Sequence, residues 1–259
     1  METKSIKTLG KLVRVLDCFS TTDRSLSVSE IARRCNLPRS TAHRSILALK
    51  EVGFLEQDRI RDSYRLGLRL FQLGTTVLNN MDLQREARPV VEALSALTHE
   101  NVHLCVFDGE RMVFVERAIG GPTGAHNEMI ILEISPCYCT GVGKASLAFQ
   151  GEPTIERVIK AGLKPWTGTT IVDPDQLRTE LGEIRDRGYA FDLEEHKHNV
   201  CCVAAPIRSA AGRVLGAISA SGPKNRMSRE ALERFAPYVV AHAEAISRRL
   251  GYVAEDASD

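Results

Sequence analysis

The segment from residue 27 to residue 55, SVSEIARRCNLPRSTAHRSILALKEVGFL, constrains the fold of this chain most strongly. Ser27 and Glu30 have the spacing of a capping box, in which each side chain accepts a hydrogen bond from the other residue's backbone N–H. A helix is therefore predicted from residue 27 to about residue 34. Asn36 then stands where a turn needs a residue that tolerates left-handed backbone.

A second helix is predicted after this turn. Pro38 suits a first helical turn, because its missing N–H would have no partner there. Apolar residues recur at helical spacing up to Gly53, which marks the end of the helix. The other positions of the first two turns carry donors that fit phosphates and base edges in the major groove of DNA: Arg39, Ser40, Thr41, His43 and Arg44.

The residues after this helix predict two short strands, at 54–57 and 63–66, with a polar tip between them. Arg59 and Arg61 lie in that tip, where they would contact the DNA backbone or the minor groove. Helix, turn, helix and hairpin in this order are typical of a winged helix-turn-helix that binds double-stranded DNA. The alternative is an amphipathic helix pair with a merely solvated basic face, which the order of capping, turn and wing disfavours.

Charge is distributed unevenly along the 259 residues, although the net charge is only +1. Residues 1–80 contain 14 Lys and Arg against 8 Asp and Glu, and the remainder contains 20 against 25. A basic segment joined to an acidic one favours a nucleic-acid-binding domain attached to a domain of another function. The sequence shows no long apolar run, no apolar signal-peptide core and no disulfide scaffold among its seven Cys, which predicts a cytoplasmic protein without membrane contact.

The remaining chain predicts a linker helix and then an α+β domain. Hairpins are predicted at residues 102–118, around the turn dipeptide Asp108-Gly109, and at residues 200–223. A further strand is predicted at residues 129–134, and a short one at residues 188–191. Helices are predicted at residues 66–82, 83–99, 140–150, 174–187 and 228–250. Strands interleaved with helices and joined by hairpins indicate an antiparallel sheet flanked by helices.

Four segments, in this order, resemble the IclR family of bacterial transcription regulators: PRSTAHRSILALKEVGFL, CTGVGKASLA, GYAFDLEEHKHNVCCVAAPI and GRVLGAISASGP. The resemblance extends from about residue 7 to residue 251. It implies a winged helix-turn-helix domain, a linker helix and a GAF-like effector-binding and oligomerisation domain, which we place at residues 1–65, 66–82 and 83–259.

The resemblance also implies a function. A regulator of this kind is not an enzyme and needs no cofactor; it acts as a homodimer or a dimer of dimers on a palindromic operator. We expect a repressor of a catabolic operon that is controlled by a small carboxylate metabolite. In the family, an Asp, a Cys and two Ser hold the carboxylate and carbonyl groups of the effector, and the matching positions are Asp192, Cys202, Ser219 and Ser221.

Backbone N–H groups at the start of a helix complete this expected effector site, and they belong to Thr140, Gly141 and Val142. Ser219 and Ser221 share one face of a strand, because alternate residues of a strand point the same way. The alternative is that the two serines form a solvent-facing stripe and that Cys202 is a small buried core residue.

The cysteines depart from the family pattern. Cys201 stands beside Cys202 where the family usually has Arg or another polar residue, and Cys137 and Cys139 add thiols nearby. This cluster leaves open the alternative that the protein is a metal- or thiol-dependent sensor or enzyme, which would use Cys137, Cys139, Cys201 and Cys202. Zinc sites usually show cysteine pairs with longer spacers, so no metal site is predicted. A nucleophilic Cys202 would need a positioned base, for which His196 is the nearest candidate, and no catalytic residue is predicted.

Overall fold

The chain folds into two compact units, Met1–Asn80 and Met81–Asp259. The computed structural model describes residues 2–20, 22–58, 62–79, 82–120 and 133–253. The described elements of the first unit are α1 (Glu2–Leu16), α2 (Val28–Arg34), α3 (Arg39–Glu51), β1 (Leu55–Asp58), β2 (Ser63–Leu66) and α4 (Leu68–Asn79).

The capping box that begins α2 is confirmed. Ser27 Oγ accepts a hydrogen bond from the Glu30 N–H at 3.3 Å, and Glu30 Oε2 accepts one from the Ser27 N–H at 2.8 Å. Asn36 has a φ of 50° and Gly53 a φ of 77°, so both turns use left-handed backbone as expected. Local hydrogen bonding therefore determines where α2 and α3 begin and end.

The first unit has its own apolar core, which includes Ile31, Ile46 and Tyr64. β1 and β2 pair antiparallel, and the Leu26 N–H donates to the Tyr64 carbonyl at 2.9 Å, which fixes the hairpin to the start of α2. The first wing strand is one residue later than predicted, because the Phe54 N–H still donates to the Leu49 carbonyl at the end of α3. The hairpin and helix pair thus form one packed structure.

The second unit is built on an antiparallel sheet flanked by helices. Its described elements are α5 (Asp82–Thr98), β3 (Asn101–Phe107), β4 (Arg111–Ala118), β5 (Ile134–Pro136), α6 (Gly141–Leu147), α7 (Glu152–Ala161), α8 (Pro174–Arg187), β6 (Ala190–Leu193), β7 (Val200–Arg208), β8 (Val214–Pro223) and α9 (Arg229–Arg249). The strand order is β5-β4-β3-β8-β7-β6, and every neighbouring pair is antiparallel.

The two faces of this sheet carry different helices. Ala204 and Ala217 belong to the core that contains α6, α7 and α8, and their small side chains let α6 lie close to β7 and β8. Residues of opposite parity on the same strands, such as Val203 and Ile218, are also fully buried, so both faces of the sheet are covered. α9 packs against β7 and against α5, which itself contacts β3 and β4.

Three sequence predictions need correction. A strand was expected at residues 129–134, of which residues 129–132 lie outside the described residues. Glu133 is not in a strand, and β5 begins at Ile134 and ends at Pro136. α6 ends at Leu147, not Gln150, because Gly151 already caps the next helix. Asp192 lies within β6 and not after it, since it pairs with Cys202 in the sheet.

Two helices were not predicted. α1 buries Val15 and packs Leu12 and Leu16 against the core of the first unit. α7 has Pro at its start and buries Ile155 and Val158, three residues apart. Both show helical periodicity in the sequence. Among the described helices, none combines the length and apolar character of a membrane span.

Candidate functional sites

The first candidate site is the N-terminal half of α3. Ala42, Ile46 and Leu49 point into the core, which leaves the predicted donor positions on the opposite side. Arg39, Ser40, His43 and Arg44 are exposed, and Thr41 is half-buried. In the described part of the chain, neither Arg39 nor Arg44 forms an ion pair. Their guanidinium groups are therefore available to phosphates or base edges.

Not every arginine of the first unit is available in this way. Arg34 donates to both carboxylate oxygens of Asp23 at 3.0 Å and to the Cys18 carbonyl at 2.9 Å, so it connects the end of α2 to the segment between α1 and α2. Arg59 and Arg61, which were predicted to anchor DNA, lie outside the described residues.

The second candidate site is a pocket of about 460 Å³ on the α6 face of the sheet. It is lined by six of the seven residues expected to contact an effector: Thr140, Val142, Asp192, Cys202, Ser219 and Ser221. Their convergence disfavours the solvent-facing stripe, because Ser219 is buried and Ser221 is half-buried inside a concave site.

Strand register explains why these side chains meet. One row of paired residues, the Asp192 row, crosses the sheet from β3 to β6: Asn101, Ser221, Cys202 and Asp192. A second row, the Arg117 row, crosses β4, β3 and β8: Arg117, His103 and Ser219. Both rows lie on the pocket face, so the floor of the pocket is polar across five neighbouring strands.

Asp192 is buried at one end of this floor. Its Oδ1 accepts a hydrogen bond from the Glu195 N–H at 2.7 Å. Burial raises the pKa of Asp192 to about 7, and the negative charge of Glu195 acts in the same direction, against the opposing effects of that hydrogen bond and of Lys144. The carboxyl group therefore exchanges its proton near neutral pH and can donate or accept a hydrogen bond.

The seventh expected residue, Gly141, is not among the residues that line the pocket. A Cβ at Gly141 would come within 2.5 Å of Cys202 Sγ, so the position requires glycine. The Gly141 backbone donates to the Cys202 sulfur, while Thr140 Oγ1 accepts from the Gly143 N–H at 3.2 Å and caps α6. The N–H groups at this helix start are thus partly used by the protein, and Gly141 itself does not line the pocket.

The loop between β6 and β7 forms part of the rim, through His196, Lys197 and the residues that follow. Two threonine hydroxyls hold this loop in place. Thr167 Oγ1 donates to the Glu194 carbonyl and Thr170 Oγ1 to the Glu195 carbonyl, each at 2.6 Å. The His196 ring also packs edge-on against Trp166, with 5.0 Å between ring centroids. The rim is therefore supported by a segment that precedes α8.

The far end of the pocket was missed by sequence reasoning. It contains His103, whose ring packs edge-on against Phe114 at 5.4 Å, and Arg117. Burial lowers the pKa of His103 to about 4, and the positive charge of Arg117 acts in the same direction, so the imidazole is neutral at pH 7. His103 and Asn101 could have been found from their alternation along β3, on the same face as Ser219 and Ser221.

Alternation along the strand did not indicate that Arg117 faces the pocket. Phe114 and Arg117 are three residues apart, and a regular strand would place them on opposite faces. The register between β3 and β4 shifts between Leu104 and Cys105, so Phe114 pairs with Cys105 while Arg117 pairs with His103. This β-bulge turns both side chains toward the pocket.

The cysteine cluster does not favour a metal- or thiol-dependent function. Cys137 and Cys139 are buried in the apolar core, and burial raises the pKa of both thiols. Burial, reinforced by the charge of Asp192, also raises the pKa of Cys202, so its reactive thiolate form is disfavoured. Over the described ranges, no group of three or more His, Cys, Asp and Glu side chains is arranged to hold a metal ion.

Comparison with known protein families gives two matches. The model described as the IclR helix-turn-helix domain matches residues 8–59, and the model described as the C-terminal part of the bacterial transcriptional regulator IclR matches residues 75–248. The two matched regions contain α3 and the pocket, respectively.

Individual proteins agree with these matches. The chain is 29% identical to the HTH-type transcriptional regulator XynR of Escherichia coli K12, over 96% of this chain and 99% of that protein. It is 32% identical to the solved IclR of Thermotoga maritima, with a TM-score of 0.66 over 95% and 100% of the two chains. An IclR homologue of Microbacterium hydrocarbonoxydans, solved in complex with 4-hydroxybenzoate, is 29% identical with a TM-score of 0.74 over 94% and 98%.

Proposed function

The chain belongs to the IclR family of bacterial transcriptional regulators, and we propose that it represses a catabolic operon under the control of a small carboxylate metabolite. It is a DNA-binding regulator and not an enzyme. The observation that carries the effector half of the proposal is the convergence of Asp192, Cys202, Ser219 and Ser221 in one pocket.

The first unit binds the DNA in this proposal. Two copies of the chain, as a homodimer or within a dimer of dimers, present paired α3 helices to a palindromic operator. Base edges and phosphates are contacted by the donors on α3, namely Arg39, Ser40, Thr41, His43 and Arg44. Arg59 and Arg61 of the wing anchor the protein to the DNA backbone or the minor groove.

The effector half places a carboxylate metabolite in the pocket. Its polar groups bind Asp192, Cys202, Ser219 and Ser221, and backbone groups of Thr140 and Val142 complete the contacts. Support comes from the buried, hydrogen-bonding character of the floor and from the relative that was solved with 4-hydroxybenzoate. By linkage, the effector changes DNA affinity only as far as it binds the DNA-competent and DNA-incompetent states differently.

The DNA half is tested by electrophoretic mobility shift on the DNA upstream of the chain's own gene, with a scrambled duplex as competitor. We expect a specific complex whose affinity falls with salt, because Lys and Arg displace counterions from the phosphates. Folded protein that retards the specific and scrambled duplexes equally would refute this half.

The effector half is tested by thermal shift and calorimetry with a panel of keto acids, sugar acids and aromatic acids, including 4-hydroxybenzoate. We expect at least one acid to stabilise the protein and to change its DNA affinity. The double variant Ser219→Ala with Ser221→Ala should lose that binding, whereas Ser209→Ala, in the turn between β7 and β8, should retain it. Equal binding by all three proteins would place the effector elsewhere.

A further inference from the structure

Two cysteines of the first unit lie in direct contact, and neither belongs to the cysteine cluster of the second unit. The Sγ atoms of Cys18 and Cys35 are 3.3 Å apart. They lie 3.3 Å and 3.4 Å, respectively, from the carbonyl oxygen of Arg14, so both thiols meet at the last turn of α1. All seven cysteines are free, and among the described residues no other pair of cysteine sulfurs lies in hydrogen-bonding contact. The contact therefore distinguishes this pair from the other thiols.

A disulfide between these two sulfurs needs only a small movement. The S–S bond is about 2.05 Å long, so the two Sγ atoms would approach each other by about 1 Å. The two cysteines are 17 positions apart in the sequence, and a bond between them would restrict the unfolded chain and so stabilise the first unit. Where thiols are kept reduced, such bonds are transient and respond to oxidants.

The two thiols differ in access to solvent. Cys18 is half-buried, whereas Cys35 is only 4% exposed. An oxidant would therefore reach Cys18 first, and Cys35 would react with the product from within the core. Burial and the hydrogen bond to Cys35 raise the pKa of Cys18 to about 12, against the smaller opposing effect of the Arg34 charge. Because the thiolate is the reactive form, oxidation should be slow at neutral pH.

Cys35 also connects the pair to the DNA-binding helix. It caps the C-terminal end of α2, and its N–H donates to the Ile31 carbonyl at 2.9 Å. Asn36 follows with left-handed backbone, and α3 begins at Arg39. A movement of Cys35 toward Cys18 therefore acts on the short turn that positions α3. Because hydrogen bonds to base edges tolerate little change in distance or angle, a displacement of this turn weakens them.

We propose that Cys18 and Cys35 are an oxidisable pair, which closes to a disulfide and lowers the affinity of the protein for its operator. The oxidant is a small organic disulfide such as glutathione disulfide. The Cys18 thiolate attacks one sulfur of this compound, which forms a mixed disulfide and releases one thiolate. The Cys35 thiolate then attacks the Cys18 sulfur and releases the second. The protein loses two electrons and two protons, and the organic disulfide gains them as two thiols.

Mass spectrometry of the full-length protein tests for the bond, after prolonged incubation with glutathione disulfide at mildly alkaline pH. We expect the peptides that contain Cys18 and Cys35 to be joined with the loss of two hydrogen atoms, and dithiothreitol to separate them. Cys201→Ser, which removes a buried thiol of the second unit, should give the same product, whereas Cys18→Ser should not. A lasting glutathione adduct on Cys18, or two thiols that both stay reduced, would overturn the proposal.

Electrophoretic mobility shift with the upstream DNA measures the consequence, with each protein compared before and after oxidation. The oxidised natural protein should bind the specific duplex about tenfold or more weakly, the equivalent of one lost base-edge contact, and dithiothreitol should restore its affinity. Cys18→Ser and Cys35→Ala should bind like the reduced natural protein under both conditions, since neither can form the bond. A loss of affinity that persists in Cys18→Ser would assign the effect to another thiol and would also overturn the proposal.

This inference rests on the proposed function only through its DNA measurement, and the two fail in different ways. Reduced protein that forms no specific complex refutes the DNA half of the proposed function, whether or not the disulfide forms. Reduced and oxidised forms that bind the specific duplex with equal affinity leave the proposed function intact and remove the redox control.

Discussion

Lys144 Nζ donates a hydrogen bond to Glu195 Oε1 in the interior of the second unit, where the two side chains are 2% and 7% exposed. Glu180 Oε1 lies 3.4 Å from the same ammonium group and is also bound by Arg187 at 2.9 Å. Because the Glu195 N–H donates to Asp192, the ion pair connects α6 to the loop that carries the pocket rim. Lys144 is thus a structural cation beneath the pocket.

Lys144→Met should destabilise the protein by about 3–5 kcal/mol, because removing one partner leaves the Glu195 carboxylate buried without its cation. Glu180 keeps Arg187 and is affected less. Chemical denaturation measures the free energy of unfolding. The matched control is Lys160→Met, whose exposed ion pair with Glu156 should be worth at most about 1 kcal/mol.

The double variant Lys144→Met with Glu195→Gln distinguishes charge from packing. It should recover part of the lost stability, because a neutral amide is cheaper to bury than an unpaired carboxylate. A double variant no more stable than Lys144→Met would show that packing of the lysine stem, and not its charge, accounts for the effect.

Asp192→Asn should gain stability relative to the natural protein as pH rises. A carboxyl group whose pKa increases from 3.8 to about 7 on folding stabilises the fold fully below pH 3.8 and loses that contribution as pH rises through about 7. Since Asn does not titrate, the difference in unfolding free energy should move in favour of the variant by up to about 4 kcal/mol between the two limits.

Denaturation of both proteins at about pH 4.5 and about pH 8 measures this change, because most of the titration window lies between those values. Only the pH dependence of the difference matters, since a constant offset reflects the amide itself. A difference that is the same at both pH values would mean that Asp192 titrates normally in the fold.

Two glycines in helices should respond to alanine with opposite signs. A Cβ at Gly143 in α6 would lie 2.3 Å from the Cys137 carbonyl oxygen, and backbone cannot move aside easily. Gly143→Ala should therefore destabilise by about 1–3 kcal/mol or more. A Cβ added at Gly182 in α8 would contact only the flexible end of the Arg185 side chain, at 3.9 Å. Gly182→Ala should therefore stabilise the protein by about 0.5–1 kcal/mol.

Thermal unfolding of the two glycine variants gives the sign directly. Gly143→Ala should also weaken effector binding, because Val142 of α6 and Thr140, which caps this helix, both line the pocket. If both substitutions stabilise the protein, α6 does not approach Cys137 as closely as its packing indicates.

Arg44→Ala should relax the base preference of DNA binding, with a loss of about 1–3 kcal/mol of discrimination if the guanidinium contacts a base edge. Competition binding against operator variants with single base-pair changes measures that preference. The control is Arg157→Ala, an exposed arginine of α7 in the second unit, which should leave DNA binding unchanged. Weaker but equally selective binding by Arg44→Ala would instead assign Arg44 to a phosphate.

The sequence by itself determined the local structure of the first unit. A capping box, a left-handed Asn36, helical spacing of apolar residues and a stop at Gly53 predicted α2 and α3, because each depends on residues only a few positions apart. The hairpin around Asp108-Gly109 and the inward face of α8 were predicted for the same reason. Resemblance to the family supplied Asp192, Cys202, Ser219 and Ser221, which the pocket brings together.

Only the tertiary structure decided what lies opposite those residues. Arg117 faces the pocket because one bulge shifts the register of β4, and a shift of one residue moves a side chain to the other face of a sheet. The roles of Lys144 and of the threonines beneath the rim depend on partners far away in the sequence. Such contacts are fixed by the packing of whole elements, and no spacing of neighbouring residues encodes them.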